Sequence, residues 1–99
     1  MRAVVIHEFG PIDSHEIEDL PDPVPGPKEI MIDTQVVGLN YPDTLMVQGL
    51  YQTKPDRPFV PGRDAAGVVA AVGDEVTRFK DGDRGLAQVR WGSYAEKVV

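Results

Sequence analysis

The sequence predicts a small, mainly β domain of the barrel or sandwich kind. Three observations lead there: six short segments with strand patterning, regular glycine and proline punctuation between them, and a single stretch suited to a helical turn or two. Arg2 to Phe9 contains the β-branched run Val4-Val5-Ile6 and is closed by the breaker Gly10-Pro11. His15 to Leu20, with Ile17 and Leu20, is a weaker second strand. Pro21, Pro23, Pro25 and Pro27 then forbid helix and remove ladder donors, which predicts an extended surface connector. Its length suits a link between strands of one domain.

Between Glu29 and Leu39, Ile30, Ile32, Thr34 and Val36 share one face at period two, the pattern of a half-buried strand. Asn40 to Gly49 breaks that period, and Pro42 suits the first turn of a short helix from which Leu45 and Met46 pack inward. Tyr51 to Arg63 carries Pro55, Pro58 and Pro61 and reads as an irregular wrapping loop. In Asp64 to Gly73 every apolar residue is Ala or Val, which predicts a strand buried on both faces. Its small residues, Ala65, Ala66, Gly67, Ala70 and Ala71, admit close approach of other backbone. Asp74-Glu75 and Asp81-Gly82 are turn signals, the second a hairpin dipeptide. Arg84 to Trp91 and Tyr94 to Val99 supply the last two strands.

Ninety-nine residues allow one core, residues 1–99 forming one domain, and no second nucleotide-binding lobe beside it. Lys+Arg 10 against Asp+Glu 16 gives a net charge of −6, which argues against a nucleic-acid partner because phosphate binding needs clustered cations. Cys 0 removes disulfides, thiolate-bound zinc, iron–sulfur clusters and a cysteine nucleophile from these residues. No apolar run approaches a membrane span, and Met1-Arg2 leads straight into a strand without a signal-peptide layout, so a cytoplasmic location without membrane contact is expected.

No segment is a self-sufficient catalytic set. The candidate loops are 40–51 and 51–64, where a rigid β frame would present function. His7 and His15 lack a ligand pattern and read as surface or capping imidazoles. Asp81 and Asp83 flank a turn, which accounts for them more simply than acid–base chemistry, and Ser14 and Ser93 have no nearby base. Gly62, Gly67 and Gly73 do not match the dinucleotide spacing G-x-G-x-x-G. Lys54, Arg57 and Arg63 against Asp56 make the 54–63 loop locally positive, a feature that suits either a phosphate-bearing ligand or simple solubility.

Several stretches, in order, resemble the medium-chain dehydrogenase/reductase superfamily: Val37-Gly38-Leu39-Asn40-Tyr41-Pro42-Asp43, Pro58 to Val69, Val72-Gly73 and Gly82-Asp83-Arg84. More narrowly they resemble its zinc-independent, zeta-crystallin-like quinone oxidoreductase branch. The resemblance implies a GroES-like, partly open β-barrel with one short helix and long loops. It implies that this is the substrate-side domain, with the Rossmann cofactor domain absent from these residues and the 99 residues inactive alone.

The implied reaction is NADPH-dependent reduction of a quinone or enone-type double bond by hydride transfer, in a homodimeric full-length enzyme. Asn40 and Tyr51 are the implied catalytic residues, and Asn40, Tyr41 and Arg63 the implied cofactor contacts. In zinc-dependent relatives the positions of Asn40 and Arg63 hold metal ligands. An amide and a permanent cation are unsuited to that role, so no zinc is expected. Leu45 stands where the branch often has a second tyrosine, which points proton supply toward solvent or cofactor. The alternatives are a zinc-type alcohol dehydrogenase relative and a GroES-like cochaperonin, a binding module without chemistry.

Overall fold

The computed structural model describes residues 1–99 and has the expected mainly β architecture. Its elements are β1 (Arg2–Val5), a 3-10 turn (Ile12–Ser14), β2 (Glu16–Asp19), β3 (Ile30–Gly38), α1 (Tyr41–Val47), β4 (Asp64–Val72), β5 (Arg84–Gln88) and β6 (Lys97–Val98). All six predicted strands are present, each shorter than its sequence segment. β1 and β2 form an antiparallel pair with Arg2 opposite Asp19 and Val5 opposite Glu16. The second sheet has the order β5-β4-β3-β6.

Residues 94–98 stitch the two sheets together. On one edge the Val4 N–H donates to the Tyr94 carbonyl at 3.0 Å and the Glu96 N–H to the Arg2 carbonyl at 3.0 Å. On the other edge the Thr34 N–H donates to the Glu96 carbonyl at 2.8 Å, and β6 pairs Val98 with Ile32. The outer edges of β2 and β5 have no partner, so the barrel is partly open, as the sequence implied. No helix is long and apolar enough to cross a membrane.

Three small clusters make the core. Ile6, Met46, Val47 and Phe59 pack beneath α1, Ile32, Ala65, Val69 and Val98 lie within the larger sheet, and Ala3, Val5 and Ala95 lie between the sheets. Burying each large aliphatic side chain contributes about 1.5–3 kcal/mol. The loop before β4 joins the first cluster: Phe59 exchanges two backbone hydrogen bonds with Ile6, at 2.8 and 3.2 Å.

Two expectations change. The period-two face of β3 does not run its full length, because register shifts between Met31 and Ile32 and between Thr34 and Val36 rotate the strand. Val36 is consequently 64% exposed, whereas Ile32 is buried. β4 is not buried on both faces. Ala65, Gly67 and Val69 face the core, while the opposite face carries Ala66 between Val36 and Leu86, the latter 82% exposed. Nothing in these residues covers that outer face.

The small residues of β4 do serve close approach. A Cβ at Gly67 would collide with the Asp33 carbonyl oxygen of β3, and one at Gly73 with the backbone of Gly26 and Pro27 in the proline connector. Asp81-Gly82 sits inside a tight turn in which the Asp83 N–H donates to the Lys80 carbonyl at 3.1 Å and Gly82 has φ +93°. That turn ends a longer excursion between β4 and β5 and is not a two-residue hairpin. Gly67→Ala is expected to lower stability by about 1–3 kcal/mol, because the new methyl must displace β3 backbone. Denaturant unfolding measures this, and a midpoint equal to that of the wild type contradicts the packing described.

Candidate functional site

The site is built around the start of α1. Asn40 caps the helix in extended conformation, with φ −122° and ψ 147°, and Pro42 occupies its first turn. The Asp43 carboxylate returns to the cap, its Oδ2 accepting the Asn40 N–H at 3.0 Å. The same Oδ2 accepts the Tyr94 hydroxyl at 2.7 Å. Asp43 is only 3% exposed, and its Oδ1 is buried without a hydrogen-bond partner. Burial of a carboxylate is tolerated here because two donors converge on one of its oxygens.

The Asn40 side chain is held separately. Its Nδ2 donates to Asp64 Oδ2 at 2.7 Å. Asp64 opens β4 directly opposite Gly38, the last residue of β3, so sheet register brings the carboxylate to the cap. Asn40, Asp43, Thr44, Tyr94 and His15 supply the polar lining of a cleft of about 380 Å³, with Leu39 and Val47 among its apolar walls. That volume lies within the usual range for small-molecule sites, a few convergent polar groups on an apolar wall. His15, expected as a surface or capping imidazole, is instead half-buried, with its Nε2 buried and without a hydrogen-bond partner.

Tyr94 is electrostatically marked. Burial, then its hydrogen bond to Asp43, then the charges of Asp43 and Asp64 push its hydroxyl above the ordinary tyrosine range. The phenol therefore stays protonated and serves as a fixed donor to Asp43.

Of the four residues singled out from sequence, Asn40 lines this cleft. Tyr51 packs instead against the Ile6, Met46, Val47 and Phe59 cluster, and Tyr41 is 75% exposed at the helix start. Arg63 is half-buried and makes no ion pair, and the neighbouring Asp64 carboxylate is engaged by Asn40. In the positive loop, Arg57 stacks over the Phe9 ring at 4.6 Å, so one of its cations is occupied in packing. His7 Nε2 pairs with Glu18 Oε2 at 2.7 Å on the surface, and no three His, Cys, Asp or Glu side chains are arranged to hold a metal ion. The Asp83 carboxylate accepts the Lys80 N–H at 3.0 Å, the turn role expected of it.

Asp43, Asp64 and Tyr94 are the members that sequence reasoning did not single out. Asp43 had a local signal in the Asn40-x-x-Asp43 spacing of a capping box. Tyr94 had none, because its contact lies 51 residues away.

Residues 26–98 match the alcohol dehydrogenase GroES-like domain family. An alcohol dehydrogenase from Moraxella sp. is 43% identical over 84 residues, which cover 85% of this chain and 24% of that protein. A human synaptic vesicle membrane protein VAT-1 homolog-like protein superposes with a TM-score of 0.94 at 37% identity, over 99% of this chain and 31% of that one. The Escherichia coli quinone oxidoreductase in complex with NADPH superposes with a TM-score of 0.92 at 30% identity, over 99% of this chain and 30% of that one. The chain spans about a quarter to a third of the length of the curated relatives it matches.

The Tyr94–Asp43 bond gives the site an alkaline signature. A hydroxyl that binds its proton more tightly folded than unfolded contributes stability that is complete below about pH 10, the unfolded tyrosine value, and is lost as pH rises beyond it. Tyr94→Phe is expected to lower stability by about 1–3 kcal/mol at neutral pH, because a buried carboxylate loses a donor. The gap to the wild type is expected to narrow above about pH 10. Thermal unfolding of both proteins across pH 7 to 11 reads it, and a constant gap contradicts the assignment.

Proposed function

Because the chain belongs to the alcohol dehydrogenase GroES-like domain family of the medium-chain dehydrogenase/reductase superfamily, we propose that it is the substrate-side domain of an NADPH-dependent reductase. The acceptor is a quinone or an activated carbon–carbon double bond. The observation that carries this reading is the Asn40 amide, fixed by Asp64 at the edge of a partly apolar cleft beside a helix N-terminus. The likeness to a quinone oxidoreductase that binds NADPH supports it.

NADPH, when bound, supplies the hydride. The residues here supply orientation and an environment: the buried Val47 walls the cleft with Leu39 exposed at its rim, and Asn40 provides a fixed polar contact for the reacting end of a ligand. Tyr94 is committed to Asp43, so in this reading it holds the cap in place and donates no proton to the acceptor. The residues fit the reacting end of the cofactor only, since no glycine-rich turn here cradles a pyrophosphate. The reading therefore assigns the rest of the nucleotide to a Rossmann domain outside residues 1–99.

Zinc does not fit the same position. The Asn40 nitrogen is turned to Asp64 as a donor, and Arg63 carries a permanent cation where zinc-dependent relatives place a ligand. The protein at its natural length is expected to oxidise NADPH with a quinone and to purify without stoichiometric zinc. Asn40→Ala is expected to lower kcat/KM for the quinone on the order of a hundredfold, the scale seen when one fixed polar contact is removed. Loss of reduced-nicotinamide absorbance and metal analysis are the measurements. Alcohol oxidation accompanied by one zinc per chain at this site would replace the proposal with the alcohol dehydrogenase reading, which the Moraxella relative favours.

A further inference from the structure

The Asn40 side chain donates from Nδ2 to Asp64 Oδ2, and its other end is turned to the Asp43 N–H in the capping box. A primary amide is nearly symmetric in shape and opposite in polarity at its two ends, so an unrestrained asparagine presents either end to a ligand. A carboxylate accepts only, and Asp64 therefore settles which end faces β4: the nitrogen does, at 2.7 Å.

Three further features show that the pair is built into the frame. Asp64 and Gly38 are register partners, and a Cβ at Gly38 would come within 3.1 Å of both Asp64 Cβ and Oδ2, so the missing side chain makes room for the carboxylate. Arg63, the adjacent cation, forms no ion pair with Asp64 and leaves its Oδ2 to the amide. The Asn40 backbone is clamped independently, by Asp43 Oδ2. Two carboxylates from two elements thus hold one residue, one by its backbone and one by its side chain.

We propose that Asp64 is a positioning residue that locks the Asn40 amide with its nitrogen toward β4, so that position 40 offers a ligand one hydrogen-bonding edge of fixed polarity. The proposal deepens the reductase reading and rests on it for the identity of the ligand. The lock itself does not depend on that reading.

Two variants separate positioning from simple structural support. Asp64→Asn keeps the shape while offering both a donor and an acceptor, so both amide orientations are allowed. It is expected to lower kcat/KM for a quinone such as duroquinone about tenfold, with the KM for NADPH within about twofold of the wild type. The exchange variant Asn40→Asp/Asp64→Asn restores a hydrogen bond at the same place with donor and acceptor reversed. It is expected to recover the thermal midpoint lost in Asp64→Asn while kcat/KM stays at least about tenfold down. Recovery of both would show that only the bond matters and would overturn the proposal.

Nuclear magnetic resonance gives a readout that needs no turnover. In the wild type one proton of the Asn40 side-chain amide is expected downfield of its partner by the carboxylate bond, and that separation is expected to collapse in Asp64→Asn. An unchanged separation overturns the lock. A clear collapse in a protein that reduces no quinone would leave the lock standing and remove the reductase reading.

Discussion

The frame depends on five residues near the end of the chain. Tyr94 to Val98 bonds β1 on one edge and β3 on the other, and without it a two-stranded ribbon and a four-stranded sheet would have no common ladder. An isolated two-stranded ribbon is marginal in water, so β1 and β2 owe their order to that segment and to the clusters it closes. Ala95 is buried with Ala3 and Val5, and Val98 with Ile32, Ala65 and Val69. One short segment thereby seals two of the three apolar clusters.

The same segment fixes the site. Tyr94 reaches from it to Asp43 of α1, and Asp43 holds the Asn40 N–H at the cap. Asp64 reaches Asn40 from β4, itself registered on β3. A helix of seven residues is far below the length that is stable alone, so these bonds and the burial of Met46 and Val47 keep α1 in place. There are 43 backbone–backbone hydrogen bonds for 99 residues, fewer than the roughly two-thirds per residue of an average domain. With so sparse a ladder, a few side-chain bonds carry a large share of the local order around Asn40.

Strands and breaks were legible because they depend on local chemistry. Val4-Val5-Ile6, the alternation from Ile30 to Thr34 and the prolines from Pro21 to Pro27 each dictate backbone conformation without distant help. Pro42 likewise announced the short helix. What local pattern could not carry was the consequence of register. The shift beyond Thr34 that exposes Val36 arises from pairing with β4, and the half-open face of β4 arises because Leu86 lies beside Ala66 with nothing above them. The site was legible at Asn40 through the resemblance of the motif around it, and illegible at Tyr94. A motif is written in neighbouring residues, whereas a phenol placed by sheet closure is written only in the fold.

Asp43 shows how position is favoured over local stability. Its Oδ2 accepts from both the Asn40 backbone and the Tyr94 hydroxyl, while its buried Oδ1 accepts from none. A carboxylate chosen for stability alone would share its donors between the two oxygens, since an unpartnered buried acceptor forfeits its hydration. Concentrating both donors on one oxygen ties the cap, the helix and the closing segment to a single point. Asp64 repeats the device on the other side, spending Oδ2 on the Asn40 amide beside a glycine that leaves it room. The polar groups around Asn40 thus act as fixed struts, and the residue they converge on has little freedom to reorient toward whatever enters the cleft.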